Sequence, residues 1–142
     1  MARGRRRRPR DRRLKLLVDT HAALWWLLDD LRLSATARQA IAGAEEPLLS
    51  AGTLFEVAIK VSLGKLKVAD EWAEELLAEG FGLLPIAPAH AQAYRELPYA
   101  TVNGKPLRDP FDRLLVAQAE TEGILIVTRD PGILAHGPAT IW

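Results

Sequence analysis

Asp19, Glu56, Asp112 and Asp130 stand at the ends of short apolar runs or inside apolar helical stretches, where a bare carboxylate needs a reason. Asp19 closes Leu14-Lys15-Leu16-Leu17-Val18, and Asp130 follows a second run in Val127-Thr128-Arg129-Asp130. Glu56 lies within Leu54-Phe55-Glu56-Val57-Ala58-Ile59, one helical turn past a third run. Asp109 and Asp112 are three apart in Arg108-Asp109-Pro110-Phe111-Asp112-Arg113 and share one side of a helix start. If the strands preceding them lie in one sheet, carboxylates from four distant segments converge at one end of it. Hard oxygen donors, no thiolates and few imidazoles select Mg²⁺ or Mn²⁺ over zinc. Magnesium takes one or two carboxylates directly and keeps several waters, so some of these acids would act through water. The chemistry suited to such a site is hydrolysis at phosphorus. The metal polarises a phosphoryl oxygen and acidifies the attacking water, while a spare carboxylate orients that water or takes its proton.

Each acid also has a plainer reading. Asp109 before Pro110 is a helix N-cap before an N1 proline, with Asp112 at N3, where a carboxylate suits the helix dipole. Asp130 before Pro131 repeats the arrangement, Asp19 can cap in the same way, and Glu56 can pair with Lys60 at i+4. Capping does not account for several uncompensated acids at one end of a sheet, because like charges that close repel unless a cation sits among them.

The elements that would position these groups alternate along the chain. Short strand-like runs cover residues 14–18, 47–50, 83–86, 124–127 and 139–142. Between them the pattern predicts helices over 22–28, 35–42 (with Ser34 as N-cap), 51–63 (stopped by Gly64), 70–79, 89–97 and 110–122. Residues 98–108 contain the turn signal Asn103-Gly104. Apolar runs alternating with helices predict an α/β fold with a short parallel sheet covered on both faces. Sites in such sheets form at the carboxyl ends of the strands.

Composition narrows the classes. At 142 residues, 49% hydrophobic and 26% charged, the chain has the composition of a soluble globular domain. The absence of cysteine excludes a disulfide framework, a thiolate zinc site and a cysteine nucleophile. A formal net charge of +1 conceals an asymmetry: residues 1–15 carry nine bases against Asp11, and residues 16–142 carry ten against seventeen acids. An acidic domain at −7 therefore follows a basic stretch at +8. Residues 1–13 are arginine-rich with almost nothing to bury, and are read as a disordered tail ahead of a domain spanning 14–142. That tail reads as a nucleic-acid arm, an incidental extension, or a segment docking on its own acidic domain. The apolar run after it is cut at once by Asp19, so no signal peptide or membrane span is expected, and the expected location is the cytoplasm.

Taken together, certain segments resemble the PIN-domain ribonucleases, above all the VapC-type toxins of bacterial toxin–antitoxin pairs. They are Leu17-Val18-Asp19-Thr20-His21, the stretch from Ser50 through Phe55-Glu56-Val57-Ala58-Ile59-Lys60 to Leu66, Arg108-Asp109-Pro110-Phe111-Asp112-Arg113-Leu114-Leu115 with Ala117-Gln118-Ala119, and Val127-Thr128-Arg129-Asp130-Pro131. The likeness runs from Leu14 to Trp142 in order and spacing. It implies a PIN-like three-layer α/β/α fold and an acidic cluster of Asp19, Glu56, Asp112 and Asp130 holding Mg²⁺ or Mn²⁺, with Asp109 as a neighbouring acid. Thr20, Ser50 and Thr128 would be hydroxyls supporting that cluster. The implied reaction is endonucleolytic hydrolysis of RNA by metal-activated water. The implied partners are an RNA substrate and a small antitoxin that blocks the site in a complex of toxin dimers.

The chain departs from the pattern at Leu107, where relatives commonly carry histidine, and in a longer stretch from Tyr99 to Pro106. Lys60, Lys65 and Arg113 are candidate contacts for RNA phosphates, weighed against ordinary solvated side chains. Trp25 and Trp26 divide between core packing and an exposed partner surface. Two other functions stay open: a PIN-type nuclease of RNA processing without an antitoxin, and a non-catalytic RNA-binding module whose acids are caps and salt bridges.

Overall fold

The computed structural model describes residues 15–142; the expected arginine-rich tail lies outside the described residues. The sheet is built around its first strand. Leu16, Leu17 and Val18 of β1 (Lys15–Val18) are all buried, as a strand covered on both faces requires. β1 pairs in parallel with β2 (Glu46–Ser50) on one side and β6 (Leu125–Val127) on the other. β3 (Gly82–Leu84) extends the sheet beyond β2 and β7 (Thr140–Ile141) beyond β6, giving the all-parallel order β3-β2-β1-β6-β7.

Side-chain alternation in β1 assigns the helices to two layers. Leu16 and Val18 face a core shared with α1 (Thr20–Leu27), α2 (Ala35–Gly43), Val57 of α3 (Ala51–Ser62) and Trp72 and Leu76 of α4 (Trp72–Ala78). Leu17 faces the other way, onto Leu115, Val116 and Ala119 of α6 (Pro110–Glu122) and Ile133 of α7 (Pro131–Leu134). On that second side α5 (Pro88–Glu96) packs along α6. The result is the three-layer α/β/α arrangement expected from the alternation of elements.

The boundaries moved where caps or turns decide them. α1 starts at Thr20, ahead of the expected residue 22, because Asp19 caps it by accepting a 2.7 Å hydrogen bond from the Ala22 amide. α7 was not expected: Asp130 caps it, Pro131 takes N1, and the helix lasts one turn. Residues 98–108 form a small hairpin, β4 (Thr101–Val102) and β5 (Lys105–Pro106). Its turn places Asn103 at φ 52° and Gly104 at φ 76°, the left-handed pair that fits the twist of a tight hairpin. Among the described residues no helix is long and apolar enough to cross a membrane.

Candidate active site

Three strand ends become helix starts at the carboxyl edge of the sheet, and the turn between them delivers a polar side chain each time. β1 runs into α1 through Asp19, β2 into α3 through Ser50, and β6 into α7 through Thr128, Arg129 and Asp130. α6 enters the same edge with Asp109 at its cap and Asp112 in its first turn. Asp19, Glu56, Asp109, Asp112 and Asp130 all line one pocket of about 80 Å³, together with Thr20 and Lys60. Three of the five acids, Asp19, Asp109 and Asp130, are thus both helix caps and members of the cluster. The capping bonds of Asp109 and Asp130 use one carboxylate oxygen each.

The bonds around the cluster hold each acid differently. Asp19, only 4% exposed, accepts from the Ala22 amide on one oxygen and from the Thr128 hydroxyl on the other. Burial pushes its carboxyl above the usual range, against the pull of those two bonds. Glu56, 8% exposed, accepts from the Thr20 hydroxyl at 2.6 Å and from Lys60 Nζ at 3.1 Å. Asp130 accepts from the Gly132 amide at 2.7 Å, and its own amide donates to Thr128 Oγ1 at 3.0 Å. Asp109 accepts from the amides of Phe111 and Asp112 at 2.9 and 3.1 Å. Among the described residues no donor reaches the Asp112 carboxylate. Burial, then the neighbouring charges of Asp130, Asp109, Glu56 and Asp19, raise it to about 7.

That imbalance is what a cation would relieve. The lining is mostly carboxylate and hydroxyl oxygen, suited to a hard divalent ion, with the His21 imidazole and Lys60 also in the wall. Among the described residues no group of three or more His, Cys, Asp or Glu side chains is set closely enough to hold a metal ion by itself.

Other expected site residues fall elsewhere. The Ser50 hydroxyl donates to Gln118 Oε1 at 2.5 Å and accepts from the Gly52 amide at 3.0 Å, so it supports α3 and not the carboxylates. Arg113 is corrected outright as a phosphate contact. It is 1% exposed, donates to the carbonyls of Tyr94, Leu97 and Pro98 at 2.9–3.2 Å, and stacks on Tyr99 with its guanidinium carbon 3.7 Å from the ring centre. Lys65 is exposed beyond the end of α3 and does not line the acidic pocket. Gly132 was missed. A Cβ there would lie 2.5 Å from Asp112 Oδ2 and 3.0 Å from Asp130 Oδ1, so the glycine keeps room for two carboxylates. The available signal was a glycine directly after an Asp-Pro helix start, where capping alone gives it no reason to be.

A family profile for the PIN domain matches residues 16–137. The chain belongs to the PIN-domain family. This PIN domain is 33% identical over 133 residues to Ribonuclease VapC22 of Mycobacterium tuberculosis (strain ATCC 25618 / H37Rv), covering 89% of this chain and 98% of that protein. In fold the PIN domain is similar to VapBC2 from Rickettsia felis, solved with a DNA fragment from its promoter (12% identity, 89% of this chain and 97% of that one, TM-score 0.57). It is similar also to FitAcB from Neisseria gonorrhoeae (22% identity, 89% and 96% of the two chains, TM-score 0.55). At these identities the two structures support the PIN fold, which the sheet order and the two helical layers already describe.

Proposed function

We propose that this PIN domain is a divalent-metal-dependent endoribonuclease and the toxin of a toxin–antitoxin pair. The observation that carries the reading is the single pocket lined by five carboxylates, one of them half-buried with no donor among the described residues. The name and 33% identity of the mycobacterial ribonuclease support RNA as the substrate and the VapC-type toxin role.

In this reading Asp19, Asp112 and Asp130 hold Mg²⁺ or Mn²⁺, directly or through water, with Glu56 and Asp109 completing the negative wall. When bound, such an ion lowers the pKa of a water and neutralises charge building on the phosphate. The chain's own groups do the rest. Thr128 fixes the rotamer of Asp19, and Thr20 fixes that of Glu56, so both carboxylates are oriented before substrate arrives. Lys60 places a positive charge beside Glu56 at the pocket rim, where an RNA phosphate would otherwise meet only acids. Glu56 or Asp112 accepts the proton of the attacking water. A small antitoxin covering this edge would silence the enzyme, and the working unit is a cytoplasmic homodimer.

The test is paired expression of the unmutated chain and Asp19→Asn at equal soluble level, with purified protein assayed on RNA in Mg²⁺, Mn²⁺ or EDTA. Growth arrest and metal-dependent cleavage are expected from the first and neither from the second. Equal toxicity of both, or cleavage that persists in EDTA, would falsify the proposal.

A further inference from the structure

A second recess opens beside the acidic pocket and shares Asp19 and Asp130 with it. It has about 180 Å³ of space, and its walls are mainly aromatic and cationic. The indoles of Trp25 and Trp142 meet edge to face, with centroids 5.9 Å apart and planes at 69°. The Arg129 guanidinium carbon lies 4.7 Å from the centre of Trp25 and 5.5 Å from that of Trp142. Among the described residues this guanidinium has no carboxylate partner within ion-pair distance. The His21 ring lies tilted against Trp25, with centroids 5.7 Å apart and planes at 42°.

The position of this corner follows from the fold. Trp25 rises from α1 one turn beyond its start, Arg129 immediately precedes Asp130, and Trp142 arrives because β7 pairs with β6. Trp25 and Trp142 pack part of their surface on the core and Arg32 lies 5.0 Å from the centre of Trp25, while the recess beside Arg129 leaves part of the two indoles in its open wall. We infer that the Trp25–Trp142–Arg129 corner is a stacking subsite for one unpaired nucleobase adjoining the phosphate that enters the acidic pocket. The inference deepens the nuclease reading and rests on it for the identity of the polymer.

The chemistry matches on both parts of a nucleotide. Indole and guanidinium planes accept a base of any sequence by stacking. Arg129, between the corner and Asp130, offers its charge to the phosphate linking that base to the scissile one. The acidic cluster repels the backbone without a metal ion, so the corner supplies an attraction that does not depend on phosphate charge. Removing the base should cost roughly 5- to 150-fold in affinity.

The experiment uses the full chain carrying Asp112→Asn, which removes one negative charge from the pocket and should not cut, in EDTA buffer at fixed salt. Fluorescence anisotropy compares a five-nucleotide oligoadenylate with an abasic ribose–phosphate backbone of the same length and charge. The oligoadenylate should bind at least about fivefold tighter, and adding Trp142→Leu should close the gap to within about twofold. Equal binding of the two oligomers, or a gap unchanged by Trp142→Leu, overturns the inference and leaves the corner to a protein segment. Should Trp142→Leu fail to fold, tryptophan emission of the Asp112→Asn protein decides. Quenching by oligoadenylate and not by the abasic backbone supports stacking, and equal or absent quenching overturns it. Cleavage by the unmutated chain is scored separately. A chain that cuts RNA but shows no base-dependent binding loses only the subsite, and one that stacks bases but never cuts loses only the nuclease.

Discussion

Asp112→Asn should make the metal-free protein more stable at neutral pH while abolishing its activity. The Asp112 carboxyl is raised from 3.8 to about 7, first by burial and then by the charges of Asp130, Asp109, Glu56 and Asp19. A raised carboxyl binds its proton more tightly folded than unfolded. Its contribution to stability is therefore full below 3.8 and is lost as the pH rises through about 7. At pH 7.5 the metal-free fold bears the whole penalty of ionising this group. Three units correspond to an upper limit of about 4 kcal/mol, and the half-exposed position reduces this by solvent screening to on the order of 1–2 kcal/mol. For a domain of this size that is a rise in Tm of roughly 3–8 °C. Thermal melts in EDTA at pH 7.5 and pH 5 read it directly: the gain should be largest at pH 7.5 and fall to under half of that at pH 5. Mn²⁺ should raise the Tm of the unmutated chain and leave Asp112→Asn nearly unmoved. A variant that melts lower than the parent by the same margin at both pH values would refute the reasoning, since Asp112 would then be stabilising through contacts and not strained by charge.

Gly132→Ala tests the space between the carboxylates. Its Cβ would fall 2.5 Å from Asp112 Oδ2, so kcat for RNA cleavage should drop at least about tenfold with the circular-dichroism spectrum unchanged, and full activity would remove Gly132 from the site. Thr128→Val keeps the shape and deletes the hydroxyl that donates to buried Asp19, so denaturant melts should show a loss of about 1–3 kcal/mol together with reduced cleavage. Arg113→Met should cost about 3 kcal/mol or more and loosen residues 99–106 in hydrogen exchange, because three carbonyls lose their donor. It should leave the salt dependence of RNA binding unchanged, and a shallower salt slope would restore Arg113 to the phosphate contacts.

The acidic edge was largely legible because its residues carry two local signals at once. Asp19, Asp109 and Asp130 each stand at a helix start, and proline follows two of them directly, so propensity and chemistry point to the same positions. The sheet was legible because buried parallel strands leave short apolar runs. Arg113 was not. Beside Asp112 it reads as an exposed charge, and only the carbonyls at the end of α5, 15 to 19 residues away, make it an interior residue. Ser50 failed for the same reason: its partner Gln118 is 68 residues distant and competes with the carboxylates for one hydroxyl. The aromatic corner was half visible, in Trp25, but it exists only once β7 brings Trp142 across to α1.

The central position of β1 governs when the acidic pocket can assemble. β1 is the first strand made, yet one of its two neighbours, β6, is the sixth, and Thr128 reaches Asp19 across 109 residues. A ribosome adding roughly 5–20 residues per second needs several seconds to lay down that interval. For most of it Asp19, joined later by Glu56, is present without Asp112, and to its end without the Thr128 hydroxyl that orients Asp19 or the following Asp130. A nascent chain therefore carries an incomplete set of carboxylates past the messenger and ribosomal RNA that surround it. The acidic pocket can therefore be complete only once residue 130 has been made and β6 has paired with β1.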